Sequence, residues 1–383
     1  MTVAKNAELV TVTESLDDVI RRCTENGIYA LDTEFHREKS YYPKLALIQI
    51  NFGSGVALID PTAISVIALE RLFRSNCVAV MHACVQDLEV LKRYCNTAPE
   101  NIFDTQIAAG FLGLRTPSLS ALHEKFLKKK LPKGERLTDW FLRPLSNRQL
   151  EYAASDVADL LEIFDLLSRE LVERERMPWA QAEFDLISTR LNEPKDPGIA
   201  WARIKETRHL GARSRGVAQA IAEWREVEAQ LHDVPARFIL SDIAIVGIAQ
   251  KIPKTIDELI GVRGVDKKHV ADSRGKKLLE LVNDGEKQRI KPSNGKQEKH
   301  LDPSLRPAAT LISAWLAQFA KDSDLDPALL GTRADIELLL RNDKNSRLMQ
   351  GWRAEHVGEP IQRLLGGKAS LAFEDGRLHL EDR

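Results

Sequence analysis

The stretch that most limits what this chain can become is Leu31-Asp32-Thr33-Glu34-Phe35. It follows an apolar run, Gly27 to Leu31, with the composition of a buried strand. Side chains alternate across a strand, so Asp32 and Glu34 project to the same side. Two neighbouring carboxylates at the end of a buried strand repel each other and lose hydration. That is costly unless a cation or a proton lies between them. A divalent metal ion answers the cost. An isolated D-x-E is more often a strand end facing water, so partner carboxylates elsewhere must decide.

The 383 residues are enough for two or three domains, each with its own core. The net charge of −1 argues neither for nor against nucleic acid, because local patches matter more than the sum. No run of eighteen apolar residues suggests a transmembrane helix. The first residues, Met1 to Glu8, lack the apolar core of a secretion signal. Cys23, Cys77, Cys84 and Cys95 have no C-x-x-C spacing and sit in apolar contexts. Reduced core thiols and a cytoplasmic location are the expectation.

Ser15-Leu16-Asp17-Asp18 has the form of a capping box opening a helix that stops near Gly27. After the Asp32 strand come Leu45–Ile50 and Val56–Asp60, separated by turn residues, a hairpin signal. A helical segment around 66–73 leads to another buried strand, Cys77–His82. This order predicts a mixed sheet flanked by helices, an α/β layer. Residues 84–192 read as mostly helical. Ser146-Asn147-Arg148-Gln149 again has capping-box form, opening a periodic segment that runs to about residue 175.

Pro194-Lys195-Asp196-Pro197-Gly198 reads as a domain boundary. Two helical segments follow, 208–284 and 303–383, joined by a polar stretch, Lys291 to Lys299, with linker composition. They resemble divergent copies of one unit. Trp224, Pro235 and Asp242 in the first match Trp315, Pro327 and Asp335 in the second, with nearly equal spacings.

Partners for Glu34 lie in two places. Asp87 falls where a buried strand hands over to a helix, a usual place for site residues; complementing the helix dipole is the plainer alternative. Tyr152 and Asp156, four apart, share one helix face; an ordinary i,i+4 pair is the plainer alternative there.

Taken in order, D-x-E on a strand, Asp at a strand-to-helix junction and Y-x-x-x-D on a helix resemble the tyrosine variant of the DEDD exonuclease superfamily. Phe103-Asp104-Thr105-Gln106, Trp140 with Arg143-Pro144-Leu145-Ser146, and Gln149 with Tyr152-Ala153-Ala154 resemble the ribonuclease D family in particular. Residues 208–284 resemble the helicase-and-ribonuclease-D C-terminal (HRDC) module through Trp224-Arg225-Glu226, Asp233 to Arg237, and Gly261-Val262-Arg263-Gly264-Val265. Residues 303–383 resemble a diluted second copy. The histidine variant of the site would place its histidine at Glu151, which excludes it.

The resemblance implies a ribonuclease-H-like α/β catalytic domain over 1–192 and two small all-α HRDC-type domains, 208–284 and 303–383. It implies a 3′→5′ exoribonuclease that releases 5′-nucleoside monophosphates with two divalent ions, Mg²⁺ or Mn²⁺, about 4 Å apart. Asp32 would bridge the ions. Glu34 and Asp156 would complete the site of the water-activating ion, and Asp87 would support the other. Tyr152 would orient the attacking water, since an unperturbed phenol is a poor base at neutral pH. The implied substrates are RNAs with a free 3′ end, tRNA precursors among them. A monomer suits the layout. The rival readings are a 3′→5′ DNA exonuclease and a non-catalytic nucleic-acid-binding protein on the same fold.

Asp104 either braces the metal ligands or caps the helix that starts beside it. His82 is either a packed strand-end histidine or part of the site. Residues 124–136 carry six basic and two acidic side chains, so Lys128, Lys129, Lys130, Lys133 and Arg136 are candidate phosphate contacts; a solvated charged face is the alternative. Lys267 and Lys268, just after the Gly261–Gly264 turn, are a second candidate set. Aromatic residues, at 6%, are too few for extended base stacking.

Overall fold

The structure, a computed structural model, describes residues 7–132, 134–135, 138–194, 196–271, 273–288 and 301–383. The expected linker at 291–299, together with Lys133, Arg136 and Lys195, lies outside the described residues.

The apolar runs of the first half form one sheet. Its strands are β1 (Ala7–Val10), β2 (Ile28–His36), β3 (Lys44–Asn51), β4 (Val56–Ile59), β5 (Val78–Met81) and β6 (Ile102–Asp104), in the order β1-β4-β3-β2-β5-β6. β3 and β4 pair antiparallel, as the hairpin signal predicts. β1 runs parallel to β4, and β5 parallel to both β2 and β6. The sheet is therefore mixed. Almost every residue of β3 and β4 is buried, because helices cover both faces. The edge strands β1 and β6 escape sequence reading because both are short: one has four residues, two of them exposed, and the other only three.

The capping box at Ser15 is not formed. Helix α1 (Thr13–Asn26) starts three residues earlier behind Val12, which makes no side-chain cap. The buried stripe of Leu16, Val19, Ile20 and Cys23 fixes the helix instead, and it ends at Gly27 in the left-handed region, φ 73°. The long helix expected after Ser146 is two, α4 (Asn147–Ala158) and α5 (Leu160–Glu173), with a break at Asp159. Between them and β5 lie α2 (Val85–Tyr94) and α3 (Thr105–Gly110), and α6 (Met177–Asn192) follows. All four cysteines are buried free thiols. Among the described residues no helix is long and apolar enough to cross a membrane.

The described residues fall into two compact units. One takes in those within 36–44 and 193–299. It contains α7 (Ala212–His232), α8 (Ala236–Ile239), α9 (Asp242–Lys251), α10 (Ile256–Ile260) and α11 (Arg274–Gln288) around Trp201, Ile221, Leu240, Ile248 and Val282. Tyr41 donates to Glu226 at 2.6 Å inside this unit.

The other unit joins the sheet and its helices to residues 301–383. Its C-terminal part comprises α12 (Arg306–Asp322), α13 (Pro327–Leu330), α14 (Arg333–Leu340) and a hairpin, β7 (Ala369–Glu374) and β8 (Arg377–Asp382). The hairpin corrects the all-α expectation. Leu371, Phe373, Leu378 and Leu380 alternate around Asp375-Gly376, both at positive φ, which is the Asp-Gly hairpin turn. One hydrophobic core runs through both parts. Trp352 stacks on Trp179 of α6, ring centroids 4.8 Å apart. Glu183 of α6 is buried and accepts from Arg353 at 2.6 Å and the Trp352 indole at 3.4 Å. Gly113, at φ 85°, faces Asp324 so closely that a Cβ would sit 2.1 Å from its carboxylate.

Candidate active site

The site is built where β2 ends. Asp32 and Glu34 are partly exposed there, whereas Thr33 between them is buried, as strand alternation requires. Asp87 is in the first turn of α2, 8% exposed. Tyr152 and Asp156 lie one turn apart on α4, and the Tyr152 hydroxyl donates to the Asp156 carboxylate. Glu34, Asp87 and Asp156 all lie near enough to Asp32 to act on its charge, although among the described residues no three His, Cys, Asp or Glu side chains are arranged as a ready-made metal site. Burial, then the charges of Asp87, Asp156 and Glu34, push the Asp32 carboxyl well above the usual range. Burial pushes Asp87 up to about 6 and Asp156 up to about 7. Carboxylates held this way bind protons or cations, and oxygen donors of this kind suit a hard divalent ion.

The flanking residues hold this constellation. Ser146 and Gln149 complete the expected capping box at the start of α4. Asn51, at the end of β3, donates to the carbonyls of Val157 and Ala158 at the other end. Arg143 pairs with Asp60 and donates to the carbonyls of Ala46 and Trp140. It ties the loop before α4 to the sheet, and Trp140 from that loop packs 6.0 Å from the Tyr152 ring.

Of the two alternatives for Asp104 the structure shows the helix cap, and it shows no hydrogen bond from Asp104 to Asp32, Glu34, Asp87 or Asp156 among the described residues. Its buried carboxylate caps α3 through Gln106 and Ile107, at 2.8 and 3.1 Å. It also accepts from the backbone of Cys84 at 2.9 Å and Ala83 at 3.3 Å, so it fixes the turn that launches α2 and Asp87. His82 Nδ1 shares a 2.9 Å hydrogen bond with Thr105 Oγ1, and burial pushes its imidazole below the ordinary value.

Two residues that sequence reading passed over also belong here. Thr33 donates its hydroxyl to Asp87 Oδ1 at 2.5 Å. His123 is fully buried and opens a π-helical turn, His123–Leu127. Its Nδ1 lies 3.0 Å from the Leu119 carbonyl and its Nε2 3.6 Å from Asp159 Oδ2. It helps hold Asp159 down at about 2 and counters the upward push on Asp156. Nothing in the text around His123 marks it.

The basic candidates differ among themselves. Lys128 and Lys130 are exposed. Lys129 is engaged with Asp159 at 2.9 Å and Glu162 at 3.5 Å. In the other unit Lys267 and Lys268 are exposed beside the turn at Gly264, which has φ 86°.

A family model described as 3′-5′ exonuclease matches residues 7–172, and an HRDC domain model matches residues 214–282. Ribonuclease D of Zymomonas mobilis is 32% identical over 378 residues, 97% of either chain. Ribonuclease D of Jannaschia sp. is 32% identical over 97% of this chain and 98% of its own. The crystal structure of Escherichia coli RNase D, described as an exoribonuclease involved in structured RNA processing, matches with a TM-score of 0.83. It is 30% identical, over 94% of this chain and 99% of that one.

Proposed function

The chain belongs to the ribonuclease D family of 3′→5′ exoribonucleases, and from that premise we propose that Asp32, Glu34, Asp87 and Asp156 hold two divalent cations, Mg²⁺ or Mn²⁺, at its active site. The observation that carries this is placement: Asp32 and Glu34 share one face at the end of β2, Asp87 opens α2 beside them and is bound by Thr33, and Asp156 approaches from α4. Bound there, divalent cations supply the charge neutralisation and water activation that attack on an anionic phosphodiester requires. The chain's own groups do the rest. Tyr152, hydrogen-bonded to Asp156, orients the attacking water. Asp104 and His82 brace the strand ends from which Asp87 departs. Nucleoside 5′-monophosphates leave one at a time.

The substrate in this reading is a tRNA precursor or another small structured RNA with extra 3′ nucleotides, handled by a cytoplasmic monomer. Lys128, Lys130, Lys267 and Lys268 contact phosphates, and the sparse aromatics favour a protein that grips backbone over one that reads bases. Residues 1–192 are the nuclease domain and 208–284 the HRDC domain. Residues 303–383 are a diverged second copy. In support, α12 with Trp315, the short α13 after Asp326 and α14 repeat the order of α7 with Trp224, α8 after Pro235 and α9. The matched acids have separate roles, however: Asp242 pairs with Arg225, whereas Asp335 completes a capping box with Thr332.

The test uses 5′-labelled RNA with a short 3′ overhang on a stem, with Mg²⁺, Mn²⁺ or chelator. The expected result is a metal-dependent ladder that Asp32→Ala abolishes while RNA binding persists. A ladder in chelator, or one unaffected by Asp32→Ala, refutes the assignment. Equal cleavage of a DNA oligomer would favour the DNA exonuclease instead.

A further inference from the structure

Thr33 lies between two carboxylates of the site and binds a third. It is 6% exposed, and its side chain leaves the strand on the face opposite Asp32 and Glu34. Its hydroxyl donates to Asp87 Oδ1 at 2.5 Å across 54 positions of sequence. The hydroxyl is the part of this link that a substitution can remove. Valine, close in size to threonine, would fill the same space without it.

We propose that the Thr33 hydroxyl is the positioning group for Asp87: it fixes one carboxylate oxygen so that the other is presented to the cation. The inference rests on Asp87 being a ligand. A carboxylate in the first turn of a helix has two torsions to set, and Asp104 anchors only the backbone beneath them, through Ala83 and Cys84. Thr33 sets the remaining torsions from the strand that carries Asp32 and Glu34. The relative placement of three ligands then depends on one rigid element. Partners of this kind, one step removed from the metal, typically govern about 10- to 100-fold in metal affinity.

The experiment compares the full-length protein with Thr33→Val, Thr33→Ser and Asp87→Asn. Mn²⁺ binding is followed by the paramagnetic resonance of free Mn²⁺, and RNA hydrolysis is titrated with Mg²⁺. Thr33→Val is expected to weaken one class of Mn²⁺ site and to raise the half-maximal Mg²⁺ by about 10-fold or more, with activity returning at high Mg²⁺. Thr33→Ser should stay near wild type, and RNA binding in chelator should not change. If Thr33→Val folds poorly, Thr33→Ala supplies the same comparison. Wild-type metal binding in Thr33→Val, or equal impairment in Thr33→Val and Thr33→Ser, overturns the proposal. If Asp87→Asn also keeps wild-type metal binding, the ligand assignment itself fails. If Asp87→Asn loses a site while Thr33→Val does not, only the role of Thr33 falls.

Discussion

Replacing Asp156 with asparagine should make the metal-free protein more stable while it destroys the enzyme. Asp156 has a carboxyl at about 7 in the folded chain against an ordinary 3.8. Between those values the folded state binds more protons than the unfolded one, so stability falls as pH rises through that window. At 1.36 kcal/mol per pKa unit the cost reaches at most about 4 kcal/mol above pH 7. Water entering the site relaxes part of it, leaving on the order of 1–3 kcal/mol, which for a unit of this size is a melting shift of about 3–8 °C. Asparagine has the same shape, keeps an oxygen for the Tyr152 hydroxyl and carries no charge. Thermal unfolding in chelator near about pH 8 should therefore place Asp156→Asn above wild type, and the gap should close near about pH 4. Mg²⁺ should raise the wild type but not the variant, because the cation takes the place of the missing proton. A variant less stable than wild type in chelator, or a gap indifferent to pH, refutes the reasoning.

Other outcomes follow from the same geometry. Tyr152→Phe should lower kcat by about 10- to 100-fold with little change in KM; an equal loss in both refutes a role confined to the reaction. Glu183→Gln leaves Arg353 buried without its counter-charge and should cost about 3–5 kcal/mol in urea unfolding; an unchanged midpoint refutes it. Lys130→Ala should reduce the salt dependence of RNA binding by roughly 0.7 in the log–log slope, whereas Lys129→Ala, whose charge is spent on Asp159, should leave it unchanged. Equal slopes for the two variants refute the distinction.

Much of the site was legible because its residues obey local periodicities. Asp32 and Glu34 follow from strand alternation, Tyr152 and Asp156 from the helical repeat, and the start of α4 from its capping box. The sheet was read from its long apolar strands, and β1 and β6 were missed because they are short, three or four residues each. Contacts between distant segments left no trace in local text. His123 reaches Asp159 only because a π-helical turn redirects it, and Asn51 reaches α4 across more than a hundred residues. Propensity also misleads where burial decides, as at Ser15, where the apolar stripe sets the helix start ahead of the cap. The C-terminal hairpin was legible in Asp375-Gly376, but a reading guided by helical repeats passed it by.

The pairing of Glu183 with Arg353 spans 170 positions, and the HRDC match lies wholly between them. This bears on the order of synthesis. Segments emerging from the ribosome fold as units, the earlier ones generally first. Here the nuclease is begun first and finished last: Trp179 and Glu183 wait for Trp352 and Arg353, while the intervening segment can close its own core meanwhile. A growing chain thus carries the carboxylates proposed as metal ligands long before the structure around them is complete, and a chain cut short before Trp352 leaves a wall of its own core unbuilt.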